Sequence, residues 1–310
     1  VPGYAVYRNV WLKKMTLTPD WIPSCTRRRL WSRQRVLLAF TAHCGLNLAV
    51  SLACGVAPAA AQGRLQAQYE ATLVGVSVGK GTLNIDIQDD RYSVTVGGGT
   101  VGLVKYFKSG SFAWLAQGRV VNGALVPTNY KAATTAAEKT EEISIMLANG
   151  NVTDFSIVPE PPVDPARFPV TDTYHRGVLD PLTSLSVQVP GTGDLVTPEA
   201  CQSGVAVFDG RFRYDRNRVF MRMDAVETKK GYRGPVVVCA GRIVPVAGFT
   251  PEETKEIGAR RNNEIAFAPI AGTRILVPFW IKETTPLGSL KIEATSFITE
   301  PQTSRNSRTQ

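Results

Sequence analysis

Residues able to do chemistry are few in this 310-residue chain. It has only two histidines, His43 and His175, which excludes a site needing several imidazoles, such as a three-histidine zinc centre. The letters G-x-S-x-G occur at Gly75-Val76-Ser77-Val78-Gly79, but inside a β run and not at a strand-to-helix elbow, and no H-E-x-x-H metal motif occurs. A Ser-His-Asp triad in the exported part would have to use His175, which follows a proline-rich stretch and reads as a loop or surface residue. Two carboxylates suffice for glycoside hydrolysis, but the chain has 26 acidic residues, so their presence selects no pair. Gly79-Lys80-Gly81-Thr82 looks superficially like a phosphate loop. The Walker spacing needs four residues between the first Gly and Gly-Lys, with a Ser or Thr directly after the lysine, and this stretch has neither. Gly75, Gly79 and Gly81 instead mark strand bending or close packing. No cofactor, metal or catalytic residue is expected.

The most distinctive stretch is Val207–Asp215, Val-Phe-Asp-Gly-Arg-Phe-Arg-Tyr-Asp. As a strand it sets Phe212 and Tyr214 on one face and Arg211 and Arg213 on the other, with Arg218 and Arg222 extending the basic face. Arg211, Arg213, Tyr214, Arg218 and Arg222 are therefore the candidate binding residues, for a lipid headgroup or an acidic partner. The bland alternative is a solvated face with cross-strand ion pairs. Val219, Met221 and Met223 lie opposite and read as core or as the wall of a lipid pocket.

Such residues need a frame, and the frame reads as strands. Leu83, Ile85 and Ile87 alternate with polar residues. So do Tyr92, Val94 and Val96, then Ile143, Ile145 and Leu147, and later Leu290, Ile292 and Ala294. This period of two belongs to half-buried antiparallel strands. Turn signals separate the runs at Asp89-Asp90, Gly97-Gly98-Gly99, Asn149-Gly150-Asn151 and Asp215-Arg216-Asn217. The expected fold is all-β: a single large curved antiparallel sheet, spiral or open barrel-like, of about a dozen or more strands. One or two short helices accompany it. Asp180-Pro181 is a helix start, and Thr250-Pro251-Glu252-Glu253 is a capping box with proline at the first helical position. The proline-rich stretch from Pro159 to Pro169 is a stiff loop or linker, with one domain preferred over two because the strand pattern continues on both sides.

Residues 1–61 read as a targeting segment with an over-long N-terminal region. Arg27, Arg28, Arg29, Arg33 and Arg35 precede an apolar run from Val36 to Ala57, and Ala59-Ala60-Ala61 fits a cleavage site. Cleavage is expected after Ala61, leaving a periplasmic β domain over 62–298 and a disordered tail over 299–310. The alternative is an uncleaved membrane anchor; after cleavage no stable membrane span remains. Thr26-Arg27-Arg28 is a loose twin-arginine pattern, and Ser51-Leu52-Ala53-Cys54 a poor lipobox. The formal charge of +9 shrinks to about +2 without this segment, so nucleic acid is dropped as a partner. Cys201 and Cys239 are the cysteines left after cleavage, and in an oxidising compartment a disulfide is the simplest reading, with two free buried thiols as the rival.

A resemblance gathers these features. Tyr69, Gly75 and Gly79 in an opening strand, Asp180-Pro181-Leu182, and the Phe-Asp-Gly-Arg-x-Arg-Tyr core of Val207–Asp215 carry it. Cys239, the Gly241 region, and Leu276-Val277-Pro278 followed by Gly288 add to it. The chain resembles the bacterial exported proteins of domain-of-unknown-function family 3108 over roughly 65–298. That resemblance implies a periplasmic, mostly antiparallel β protein without assigned activity. In layout it is also similar to the envelope-integrity protein B family of alphaproteobacteria. The expected role is non-enzymatic support of the cell envelope, with a lipid, lipoprotein or envelope protein as partner. A two-carboxylate envelope hydrolase and a pure scaffold are the alternatives.

Overall fold

A computed structural model describes residues 62–102, 109–260 and 263–302. The expected targeting segment and its cleavage site lie outside the described residues, as does the tail beyond residue 302.

Among the described residues the alternating runs form fifteen strands. The first seven are a meander: β1 (Gly63–Leu73), β2 (Val76–Ile87), β3 (Arg91–Thr100), β4 (Gly110–Val121), β5 (Ala124–Ala136), β6 (Lys139–Ala148) and β7 (Asn151–Val158). After the proline-rich loop come β8 (Val187–Gln188), β9 (Gly204–Phe208), β10 (Arg213–Glu227), β11 (Lys230–Gly231) and β12 (Arg233–Ala247). β13 (Glu264–Pro269), β14 (Ile275–Thr285) and β15 (Gly288–Pro301) complete the set. All belong to one sheet with the order β7-β6-β5-β4-β3-β2-β1-β15-β14-β13-β12-β10-β9, while β8 adds to β14 and β11 to β15. Pairing is antiparallel except for the two-residue β11. The strands on both sides of the proline-rich loop are joined where β1 pairs with β15. The boundary drawn after Ile298 falls inside β15, whose Thr299 and Glu300 still pair with β1.

Several hairpins turn on two residues with positive φ, the geometry that matches strand twist. Asn149-Gly150 does so, as does Asn122-Gly123. Two expected turns are instead strand. Gly97-Gly98-Gly99 lies inside β3, where a side chain on Gly98 would run into the Phe112 ring at 2.8 Å, so glycine there answers close packing. Asp215-Arg216-Asn217 lies inside β10, held between β9 and β12. The helix expected at Asp180 is a single 3-10 turn, Thr183–Leu185. The capping box behaves as read: Thr250 and Glu253 bond reciprocally at the start of α1 (Pro251–Ala259).

The sheet curls without closing. Its two edges, β7 and β9, are not hydrogen-bonded to each other, but both meet the segment before β8. The Val178 N–H donates to the Gly150 carbonyl, and Leu179 bridges Val207 in parallel. Arg211, in the turn after β9, pairs at 2.7 Å with Glu141 on β6. Phe155 of β7 meets Phe208 of β9 edge-on. Alternate residues of the strands, among them Leu65, Ile85, Ile87, Val94, Ala116 and Ile145, build the main core. β12 is buried on both faces: Val236 and Val238 join the main core, while Val237 and Cys239 join a second cluster with Val187, Phe267 and Leu276. That second cluster holds the Cys201–Cys239 disulfide.

Candidate functional site: an apolar cavity inside the sheet

A cavity of about 370 Å³ opens between the curled sheet and the segment threaded into it. Small residues make the room. Ala71 on β1 and Gly79 and Gly81 on β2 line it, so the strand alternation that elsewhere supplies core side chains here leaves space. Leu83, Val96, Phe112 and Trp114 form one wall, and Val277, Ile281 and Ile292 another. Leu182 and Leu185, from the threaded segment, complete it.

Polar atoms on this wall are already engaged. The Tyr69 hydroxyl donates to the Pro278 carbonyl at 2.6 Å, and burial holds its pKa above the usual phenol range. Ser186 Oγ donates to the Thr183 carbonyl, and Trp114 Nε1 to Thr134 Oγ1. Lys80 borders the cavity but is exposed. An occupant of the interior therefore meets almost only hydrocarbon, with the exposed Lys80 and Thr82 at the border. The volume sits near the lower end of the ~300–1,000 Å³ typical of small-molecule sites, which suits one hydrocarbon chain better than two.

The threaded segment is fixed by a buried polar network. Asp180 Oδ1 accepts from the N–H groups of Leu182 and Thr183, and burial raises its carboxyl pKa. Tyr92 and Thr183 share a hydroxyl–hydroxyl bond of 2.7 Å. Arg218 donates to the Ser184 carbonyl at 2.6 Å and to Ser203, with its guanidinium over the Phe267 ring.

The five candidate binding residues thus fall in different surroundings. Arg218 is buried and positions the threaded segment that walls the cavity. Arg211 ties the two ends of the sheet through Glu141. Arg213 pairs with Asp215 at 2.7 Å, and Arg222 with Glu264 at 2.9 Å while lying over Trp280. Tyr214 is buried in a small cluster with Phe212 and Phe249. They form ion pairs and packing contacts in place of one continuous basic face. Val219, Met221 and Met223 are neither core nor pocket wall: they are 65%, 44% and 44% exposed. β9 covers β10 only from Arg213 to Asn217, so the rest of that strand runs beyond it. His175 packs against Phe155 and Phe208, and its Nε2 has no hydrogen-bond partner, so no nucleophile is paired with it. The cavity left one trace in the sequence, the alternating Gly79 and Gly81; Phe112, Leu182 and Ile292 gave no sign that they would converge.

Among the described residues no cluster of metal-ligating side chains occurs, and no helix is long and apolar enough to cross a membrane. Fold and site define an open, barrel-like β protein enclosing an apolar cavity. The chain belongs to the family described as Protein of unknown function (DUF3108), whose model matches residues 68–295. None of the curated proteins compared with it matches. Among solved structures it is similar to the beta-barrel-like protein of domain of unknown function DUF1849 from Brucella abortus. That likeness has 10% identity and a TM-score of 0.41, covering 78% of this chain and 99% of the other.

Proposed function

We propose that this is an exported, non-enzymatic protein of the bacterial periplasm that holds an apolar ligand, a lipid or the acyl part of a lipoprotein, in service of the cell envelope. The cavity carries this reading: glycine and alanine stand where strand alternation would place core side chains, and the polar atoms on the wall are already bonded. A scaffold with no ligand would gain from filling that space, because close packing stabilises and voids cost. Export is supported by the sequence of residues 1–61 and by the paired cysteines.

The test is direct. A Cβ at Gly79 meets nothing nearer than 3.4 Å and Gly79 lines the cavity, so the side chain of Gly79→Leu is expected to occupy that space. It is expected to weaken binding of a fluorescent fatty acid at least ~10-fold, equivalent to ~1.4 kcal/mol, with little change in melting temperature. Native mass spectrometry and lipid extraction of periplasmic protein should show a bound lipid on wild type and none on the variant. A clean ligand-free mass for wild type, with probe binding indifferent to Gly79→Leu, would sink the proposal. The same spectra test cleavage, which gives a chain starting at Gln62.

A further inference from the structure

Two hairpin tips stand beside the cavity. The first joins β1 to β2 at Val74-Gly75, with Leu73 paired to Val76. The second joins β14 to β15 around Leu287-Gly288. They form one surface: the Val74 N–H donates to the Ser289 carbonyl at 2.9 Å, and a side chain on Gly288 would collide with a Val74 methyl. Val74, Val76 and Leu287 are 66%, 63% and 65% exposed. No charged residue occurs from Ala71 to Gly79 or from Thr284 to Leu290. Turn tips ordinarily carry Gly, Asn, Asp or Pro, and scattered single exposures need no explanation, but three exposed aliphatic residues on two adjoining tips do.

The backbone adds an independent sign. Val74 has φ of 49°, a left-handed conformation that disfavours a β-branched residue and favours asparagine or glycine. The fold therefore holds a valine where asparagine would suit the turn better. Strain kept at an exposed position points to a use for that side chain. The tips also lead straight to the cavity: Leu73 pairs with Leu290, and the next inward pair on that face, Ala71 with Ile292, lines it.

We infer that these two tips dock the protein on a lipid bilayer, inserting Val74, Val76 and Leu287 among the acyl chains so that the cavity faces the membrane. A bilayer fits better than a protein groove, because the two tips themselves carry no charge, with Glu70 and Lys291 at their base, and they lead into a cavity lined almost wholly by hydrocarbon. The purpose of docking, exchange of an acyl chain, rests on the proposed function; docking itself does not.

The experiment uses protein purified from the periplasm and vesicles of phosphatidylethanolamine and phosphatidylglycerol. Wild type is expected to co-sediment with the vesicles and to stay bound at high salt, since apolar insertion is not screened. Val74→Asn combined with Val76→Thr and Leu287→Ser should lose at least ~10-fold in vesicle affinity while keeping fatty-acid binding in solution. Val74→Asn alone should weaken vesicle binding and leave the melting temperature equal or higher, which separates loss of docking from loss of fold. Gly79→Leu should bind vesicles as wild type does, so failure of the cavity reading and failure of docking are told apart. The inference is overturned if wild type ignores vesicles, if the triple variant binds them undiminished, or if high salt alone strips the protein off.

Discussion

Removing the disulfide, as Cys201→Ala with Cys239→Ala, is expected to lower stability by roughly 4 kcal/mol from the entropy of closing a loop with 38 residues of separation. For a domain of this size that corresponds to a fall of about 10 °C in melting temperature. Both cysteines are fully buried, packed with Val187, Val237 and Phe267. The bond joins the 3-10 turn Pro198–Cys201 to β12, which is buried on both faces. It therefore anchors the far end of the segment whose near end, Leu182 and Leu185, walls the cavity. Because no solvent reaches the sulfurs, a mild reductant should leave the native protein oxidised and act only once the chain is unfolded. Thermal unfolding with and without reductant measures both points. A melting temperature unchanged in the double variant would contradict the anchoring role, and two thiols titrating in unfolded, unreduced protein would deny the bond.

The second large effect is a pH dependence that Asp209→Asn should remove. Asp209 Oδ1 accepts from the N–H groups of Arg211 and Phe212 in the turn between β9 and β10. Desolvation dominates over those bonds and over the nearby Arg211 charge, pushing its pKa from 3.8 up to about 6. The sign follows from proton counting. Between those values the folded chain keeps a proton that the unfolded chain has released, so stability falls as pH rises through that window. At neutral pH the penalty reaches at most about 3 kcal/mol. Asparagine keeps the accepting oxygen and cannot ionise. Asp209→Asn should therefore be more stable than wild type at pH 7.5 and nearly equal to it near pH 4. Urea unfolding at the two pH values decides the matter: parallel differences at both would sink the assignment. The buried Asp180 adds a dependence of the same sign in both proteins. Asp86, lowered on balance by bonds from Arg64, Gln88 and Gln302 against a desolvation that raises it, adds the opposite one at lower pH. The difference between variant and wild type is thus the readout.

How far the chain could be read without coordinates depends on how local each cause is. Period-two alternation at 83–87, 92–96 and 143–147 gave true strands, because side-chain direction in a strand depends only on the residue's own backbone. The capping box at Thr250–Glu253 was equally legible, since its partners are three residues apart. Glycines misled at 97–99. Glycine serves a turn and a crowded strand equally well, and only the neighbouring Phe112 ring tells which is meant. The basic residues of 211–222 misled for a related reason. Alternation along β10 predicts faces, but a bulge between Phe220 and Arg222 shifts the register, and Glu141, Ser184 and Glu264 claim three of the arginines from distant parts of the chain.

By itself the sequence determined the all-β class, the hairpin at Asn149-Gly150 and the helix cap, and it made a Cys201–Cys239 bond the simplest reading. Each follows from local geometry or from a choice among very few partners. The tertiary structure decided that the sheet curls until its two ends meet the segment around Leu179, and that this segment enters the interior. It also decided that Gly79 and Gly81 face a cavity and that Val74 and Leu287 stand on adjoining exposed tips. These depend on residues from about 30 to more than 200 positions apart being brought together by strand order, which no spacing along the chain records.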